Sequence, residues 1–250
     1  MRTRKRISGA LWIGMVGVFA SLLPAALWAE KDESEHDMAM GHHAFAHPFF
    51  VHMGIPDGPG EISVRVSATQ EALGEEVSRD LALHIETGIW NRIGLHFRND
   101  AIKANTHSEM MIQYAVLENR RRDSGVCTFV EFEIPTNYVS DDEDAVVVEL
   151  GVSGRNVFGQ YAIMDAGLHY APQESAVSIE ASGVLRLTPA IFPILETQME
   201  IKEDVTVASL LAGVKMRLRP GANIGVAAQF GLTDERHFDN QALVQLDIAY

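Results

Sequence analysis

The final residues of the chain constrain its fold more than any other stretch. Ala242, Val244, Leu246, Ile248 and the terminal Tyr250 alternate with Leu243, Gln245, Asp247 and Ala249. A strand turns successive side chains to opposite faces, so this segment carries one apolar face and one mostly polar face. The same rhythm runs through residues 61–250, reset by Gly, Pro, Asn or charged clusters, with no sustained helical stripe. Met110, Ile112, Tyr114 and Val116 form one such face; Ala208, Leu210, Ala212, Val214 and Met216 form another. The segmentation gives about twelve strands, an even number.

What lies against the apolar faces decides the architecture. In water, two sheets can bury those faces against each other as a sandwich. In hydrocarbon, an open sheet edge leaves N–H and C=O groups unpaired at several kcal/mol each, so a spanning sheet must close on itself. The amino-terminal region favours the second case. Arg2, Arg4, Lys5 and Arg6 precede an apolar stretch from Ile7 to Leu27, interrupted by Pro24, and Ala29 is followed by an acidic run from Glu30 to Glu35. This is the layout of a secretory signal peptide over residues 1–29, cut after Ala29, with an uncleaved anchor as the alternative. Export agrees with a single cysteine, Cys127, which has no partner for an internal disulfide. No other stretch reads as a transmembrane helix, so a spanning mature chain must cross with strands. The net charge of −14 argues against nucleic acid as a partner. A mean hydropathy near zero suits apolar residues dispersed by alternation. The expected fold is therefore all-β, an antiparallel up-and-down transmembrane β-barrel over residues 61–250. A soluble periplasmic β-protein is the alternative.

Residues 30–60 read as a His/Met-rich periplasmic segment, disordered at first and then tied down near Phe49, Phe50 and the turn Pro56 to Gly60. The connections alternate in charge. Those on one side are acidic, notably Asp141, Asp142, Glu143 and Asp144; those on the other hold Arg92, Arg120, Arg121, Arg122, Arg155, Arg186, Arg217 and Arg219 at or beside the turn.

Alternation also assigns an inward face. It carries Arg65, His84, Glu86, His96, Arg98, Glu131, Glu133, Glu149, Asp165, His169, Glu180, Glu196, Lys215, Arg217 and Asp247. Ionisable groups are disfavoured on a lipid face, so their place on the complementary face supports the strand phase. They could line a passive conduit for small solutes or form a salt-bridge network that fills the lumen of a structural barrel.

His36, Met38, Met40, His42, His43, His47, His52 and Met53 form a second cluster. Imidazole and thioether suit copper or zinc, which a flexible segment could wrap without a preformed pocket; a solvated, His-rich linker is the plainer reading. No catalytic set is expected. His84 and Glu86 have same-face spacing but lack a serine on their strand, and Cys127 has no activating neighbour.

The carboxyl-terminal strand resembles the assembly signal of bacterial outer-membrane barrels, with Val244, Leu246, Ile248 and Tyr250 as its apolar face. This implies outer-membrane lipid and the barrel-assembly machinery as partners and the bacterial outer membrane as the location. Glu131 to Thr136, Gly213 to Leu218 and Gln229 to Thr233 resemble phrases of small outer-membrane barrels catalogued as transporters of the phenol-degradation-pathway type. That family commonly has Gly where Asn137 stands. The Met/His-rich segment is similar to amino-terminal regions of some outer-membrane copper-resistance proteins. Together these resemblances imply a porin-like transport barrel with no enzymatic activity and no resident cofactor other than copper or zinc on the amino-terminal segment.

Overall fold

A computed structural model describes residues 45–250 apart from 53, 100–101, 103–106, 120–122, 136–145 and 204. The signal peptide expected over 1–29, with His36, Met38, Met40, His42, His43 and Met53, therefore lies outside the described residues, as do Arg120 to Arg122 and the acids at 141–144.

Twelve strands follow in chain order: β1 (Ile62–Leu73), β2 (Glu76–Trp90), β3 (Ile93–Asn99), β4 (His107–Asn119), β5 (Ser124–Pro135), β6 (Val147–Phe158), β7 (Ala162–Ala171), β8 (Ala176–Leu185), β9 (Ile191–Lys202), β10 (Val205–Arg219), β11 (Ala222–Gly231) and β12 (Asn240–Ala249). Each pairs antiparallel with its sequence neighbours, and β1 pairs with β12 from Ser63↔Ala249 to Ala72↔Asn240, so the barrel closes. Closure removes the two edges that a membrane interior would penalise. The strands span the barrel between two unlike rims. The end that carries residue 62 and Tyr250, the terminal end, has turns as short as Asn91-Arg92; the loop end carries the longer connections β3–β4, β5–β6 and β11–β12. Register shifts at Gly88/Trp90, Ala115/Leu117 and Arg217/Arg219 all fall toward the terminal rim, where bulges bend strands into closure.

Outward positions are apolar and open: Val66, Ile112, Val152, Leu195, Val226 and Val244 are all exposed. A continuous belt of this kind is far larger than a water-soluble monomer tolerates, and it matches a hydrocarbon surround. Trp90 (68% exposed), Phe158, Tyr161 and Tyr250 (73%) ring the terminal end, where amphipathic rings suit the lipid–water boundary.

The core lies inside the barrel, and it contains a segment expected elsewhere. Residues 45–60 were expected to be periplasmic; their described part instead runs within the lumen. Phe45, Phe49 and Phe50 pack with inward-facing Ile163, Val184, Phe192, Ile194, Leu211 and Leu243, while Ile55 packs with Ala115 and Cys127. Phe49 and Val51 have no exposed surface. Burying apolar side chains of this size is worth about 1.5–3 kcal/mol each, which is why such a segment leaves water for a lumen that offers it apolar partners. Glycines give it room. A Cβ at Gly213 or Gly225 would lie 2.6 or 2.9 Å from the Phe49 ring, and one at Gly88 would lie 2.2 Å from the Gly58 carbonyl oxygen. Arg155, expected at a turn, also points inward: its guanidinium is buried and donates to Asp165 (2.8 and 3.2 Å) and Asp123 (3.0 Å). A buried guanidinium needs carboxylate partners on more than one side, and the lumen supplies them.

Candidate functional site: the lumen and its inserted segment

A backbone that enters a barrel without joining the sheet must find partners for every buried N–H and C=O. Here the wall supplies them by sign. At the bend 49–51, the successive N–H groups of Phe49, Phe50 (2.9 Å) and Val51 (3.2 Å) converge on the Glu196 carboxylate of β9, a concave array of donors around an anion. Next, the His52 N–H donates to Glu180 of β8 (3.3 Å), and the Gly54 N–H to Asp165 of β7 (2.9 Å). The carbonyl side meets donors instead. The Pro48 oxygen accepts from Arg65 of β1 (3.3 Å) and Lys215 of β10 (2.9 Å), and the Phe49 oxygen from Gln245 of β12 (3.1 Å). Three adjacent strands, β7 to β9, thus offer acids to the amide side, while β10, β12 and β1, further round the wall, offer cations and an amide to the carbonyl side.

The segment divides the lumen. On the terminal side, Arg65 pairs with Glu86, whose carboxylate also lies 3.7 Å from His96 and 4.0 Å from His47. Lys215 pairs with Asp247 at 2.7 Å and sits 4.5 Å over the Phe49 ring. Arg217 lies 4.8 Å over the Phe192 ring, and His84 is buried opposite Arg65 and Arg98 in the two ladders of β2. The space left here is a cleft of about 10 Å³.

On the loop side lies a cavity of about 390 Å³. Its walls carry Arg98, Glu131, Glu133, Glu149, His169, Glu180 and Glu200, the inserted segment contributes His52, and Arg236 to Phe238 stand at the mouth. Carboxylates outnumber cations on this wall, so its field attracts positive solutes. Among the described residues, His52, Glu109, Glu131, Glu149, His169 and Glu180 form overlapping groups whose ligand atoms lie within 4.8 Å of one another.

The residues expected to face inward are thus distributed over several settings. Arg65, Glu86, Lys215, Arg217 and Asp247 sit in the terminal half; Asp165 and Glu196 grip the segment; His96 lies between the halves, 3.7 Å from Glu86 and with its ring 6.0 Å from that of His52, and His84 is buried between Arg65 and Arg98; Arg98, Glu131, Glu133, Glu149, His169 and Glu180 line the loop-side cavity. The expected metal cluster is not one set. His47 meets Glu86 on one side of the segment and His52 meets Glu180 on the other. Val244, Leu246, Ile248 and Tyr250 lie on the outer face of β12, beside β1. Alternation places Gln245 and Leu243 on the same face as Asp247 but gives no sign of their role, and the apolar inward residues Phe192, Ile194 and Leu211 stand outside the expected set. Their signal was a break in polarity on the inward face, as in the run Ile191 to Leu195, where both faces are apolar.

No protein-family model matches this chain, and no curated protein matches it at significant similarity. Solved structures do. It superposes on an outer-membrane channel from Pseudomonas putida F1 with a TM-score of 0.58 at 11% identity, covering 79% of this chain and 98% of that one. For the NanC porin the TM-score is 0.55 at 8% identity, with 76% and 98% covered. For the KdgM porin in complex with disordered oligogalacturonate it is 0.53 at 9% identity, again with 76% and 98% covered. The structural neighbours are outer-membrane β-barrel channels, and at these identities the likeness is one of fold.

Proposed function

We propose that the protein is a passive outer-membrane channel for small polar solutes, with the described part of residues 45–57 closing its lumen in this conformation. The observation that carries this reading is the acid-walled cavity of about 390 Å³ above a segment held chiefly by side chains. A sheet strand would leave only by breaking a ladder. This segment can leave by exchanging side-chain hydrogen bonds for water. The apolar belt and the longer loops at one end support placement across the outer membrane with the terminal end periplasmic. The outward residues of β12 would be read by the barrel-assembly machinery during insertion.

Two finer readings attach to it. The likeness to transporters of the phenol-degradation-pathway type adds small aromatic compounds as a solute class, which liposome swelling with phenol-sized solutes against sugars of similar mass would separate. The His/Met-rich segment adds capture of copper or zinc, a reading favoured by the position of His52 at the cavity.

Planar-bilayer recording on the mature protein tests the conduit. Small or infrequent currents are expected for the parent and larger, longer openings for a Glu196→Gln variant, in which the grip on Phe49 to Val51 is weakened. If neither protein passes ions above leak, the channel reading is wrong.

A further inference from the structure

The geometry points to a divalent-cation site of the zinc class, formed by His52 of the inserted segment with His169 of β7 and Glu180 of β8. An ion there would bond the segment directly to the wall. Glu180 Oε1 lies 3.3 Å from His52 Nδ1 and 3.3 Å from His169 Nε2. That is long for an N–H···O hydrogen bond. It is close to the spacing of about 3.4 Å that ligands adopt around one tetrahedral ion at roughly 2.1 Å.

A second observation is independent of those contacts. Glu131 is only 5% exposed, and its Oε2 makes no hydrogen bond. It belongs to two of the ligand groups, one with His52 and one with His169, so a carboxylate oxygen of Glu131 lies within 4.8 Å of a ring nitrogen of each imidazole. A buried carboxylate oxygen left without a donor is costly, and a cation would satisfy it. The orientation of His169 also fits. Its Nδ1 faces Glu149 Oε2 at 3.3 Å, leaving Nε2 toward Glu180; an outer carboxylate of this kind commonly fixes the ring of a metal-bound histidine.

The donor set selects the ion. Two imidazoles with carboxylates and no sulfur suit Zn²⁺ or another borderline divalent ion over Cu⁺, which prefers thiolate and thioether, and over Mg²⁺ or Ca²⁺, which prefer all-oxygen shells. The adjoining cavity gives a hydrated cation a path to it. Of the histidines expected to bind metal, His52 alone among the described residues enters these groups, and the remaining donors come from the wall. The site is thus a junction between the segment and the barrel.

The test is a Zn²⁺ titration of the mature full-length protein carrying His36→Ala, His42→Ala and His43→Ala, which removes competing imidazoles. One equivalent should bind, and Co²⁺ in its place should give the visible absorption of a tetrahedral complex. His169→Gln and His52→Gln should each weaken binding by more than about 100-fold, and Glu149→Gln by about 10- to 100-fold, with heat-modifiable gel mobility unchanged as the check on folding. Binding of less than one equivalent by the parent, or binding by the folded His52→Gln and His169→Gln variants as tight as the parent's, would overturn the site. This outcome is separate from conductance, so the channel reading can fail while the metal site stands, and the reverse.

Discussion

The two halves of the lumen use the same residue types to opposite ends. Below the segment, cations and acids stand in pairs with little space between them: Arg65 with Glu86, and Lys215 with Asp247 and the Pro48 carbonyl, while the Gln245 amide joins Ser67 (2.8 Å) to the Phe49 carbonyl. Above it, acids outnumber cations around a cavity of about 390 Å³. Matched charge packed without space makes a lock, whereas unmatched charge around space makes a field that draws solutes in. What distinguishes them is whether the backbone of the inserted segment, at residues 48–52 and Gly54, passes close enough to consume the side chains.

The sharpest way to break the lock is Lys215→Ala. It takes the hydrogen-bonded cation from the buried Asp247 carboxylate, leaving only Arg65 opposite it on β1, and removes a donor from the Pro48 carbonyl; loss of one member of such a pair costs about 3–5 kcal/mol. The denaturant midpoint in detergent should fall and channel openings should lengthen; an unchanged midpoint would mean that the pair does not hold the terminal half. Glu196→Gln acts on the amide side. It replaces a charged acceptor of three N–H groups by a neutral one, a loss of roughly 2–3 kcal/mol from the difference between charge-assisted and neutral hydrogen bonds. Faster amide exchange at Phe49, Phe50 and Val51, with the strands still protected, is the expected result. Uniform loss of protection would instead assign Glu196 to the wall as a whole.

Packing contributes the next increment. Gly225→Ala places a Cβ 2.9 Å from the Phe49 ring and 2.6 Å from Lys215 Cγ, for roughly 1–2 kcal/mol of overpacking. Gly183→Ala is the control, because a Cβ there meets nothing within 4 Å. Equal effects of the two on stability would show that the segment does not press on the wall at Gly225.

These glycines also mark where the sequence stops being legible. The wall could be read from alternation because a lipid surround imposes period two on every strand: Val244, Leu246 and Ile248 on β12 face out as their spacing implies. The inserted segment imposes no period. Its apolar partners Phe192 and Ile194 on β9, Leu211 on β10 and Leu243 on β12 look like isolated faults in a polar face until the inserted phenylalanines gather them into one core. The pairing of Glu196 with an amide bend, and of Lys215 with a carbonyl, likewise depends on a backbone path that no local pattern encodes. His47 and His52, near neighbours in the chain, part company for the same reason.

On the upper side the comparison is sharpened by removing charge. Glu133→Gln combined with Glu200→Gln takes two carboxylates from the cavity wall. Each contributes roughly 1 kcal/mol to a cation passing at about 4 Å in a water-like medium, or about fivefold in occupancy. Reversal potentials under a salt gradient should move toward zero for any conductance observed. A selectivity identical to the parent's would show that the upper cavity does not set it.

The smallest effect lies at the mouth, outside the spanning strands, where Asp239 ties two loops together. Its Oδ2 accepts the Gly74 N–H at 2.7 Å and its Oδ1 accepts from Arg236, and these bonds hold the carboxyl below the usual aspartate range. A carboxylate depressed in the folded state stabilises above its unfolded pKa, and the contribution disappears as pH falls through the folded value. Gly74, at φ +59° in the β1–β2 turn, should therefore lose amide protection on acidification from about pH 6 to about pH 2, measured against the intrinsic exchange rate. Asp239→Asn should abolish that dependence while leaving the exchange of β1 and β12 unchanged. Because the group is exposed, the tie sets only the local order of the rim. A wild-type Gly74 whose protection is flat across the range would show that the bond to Asp239 is not made in solution.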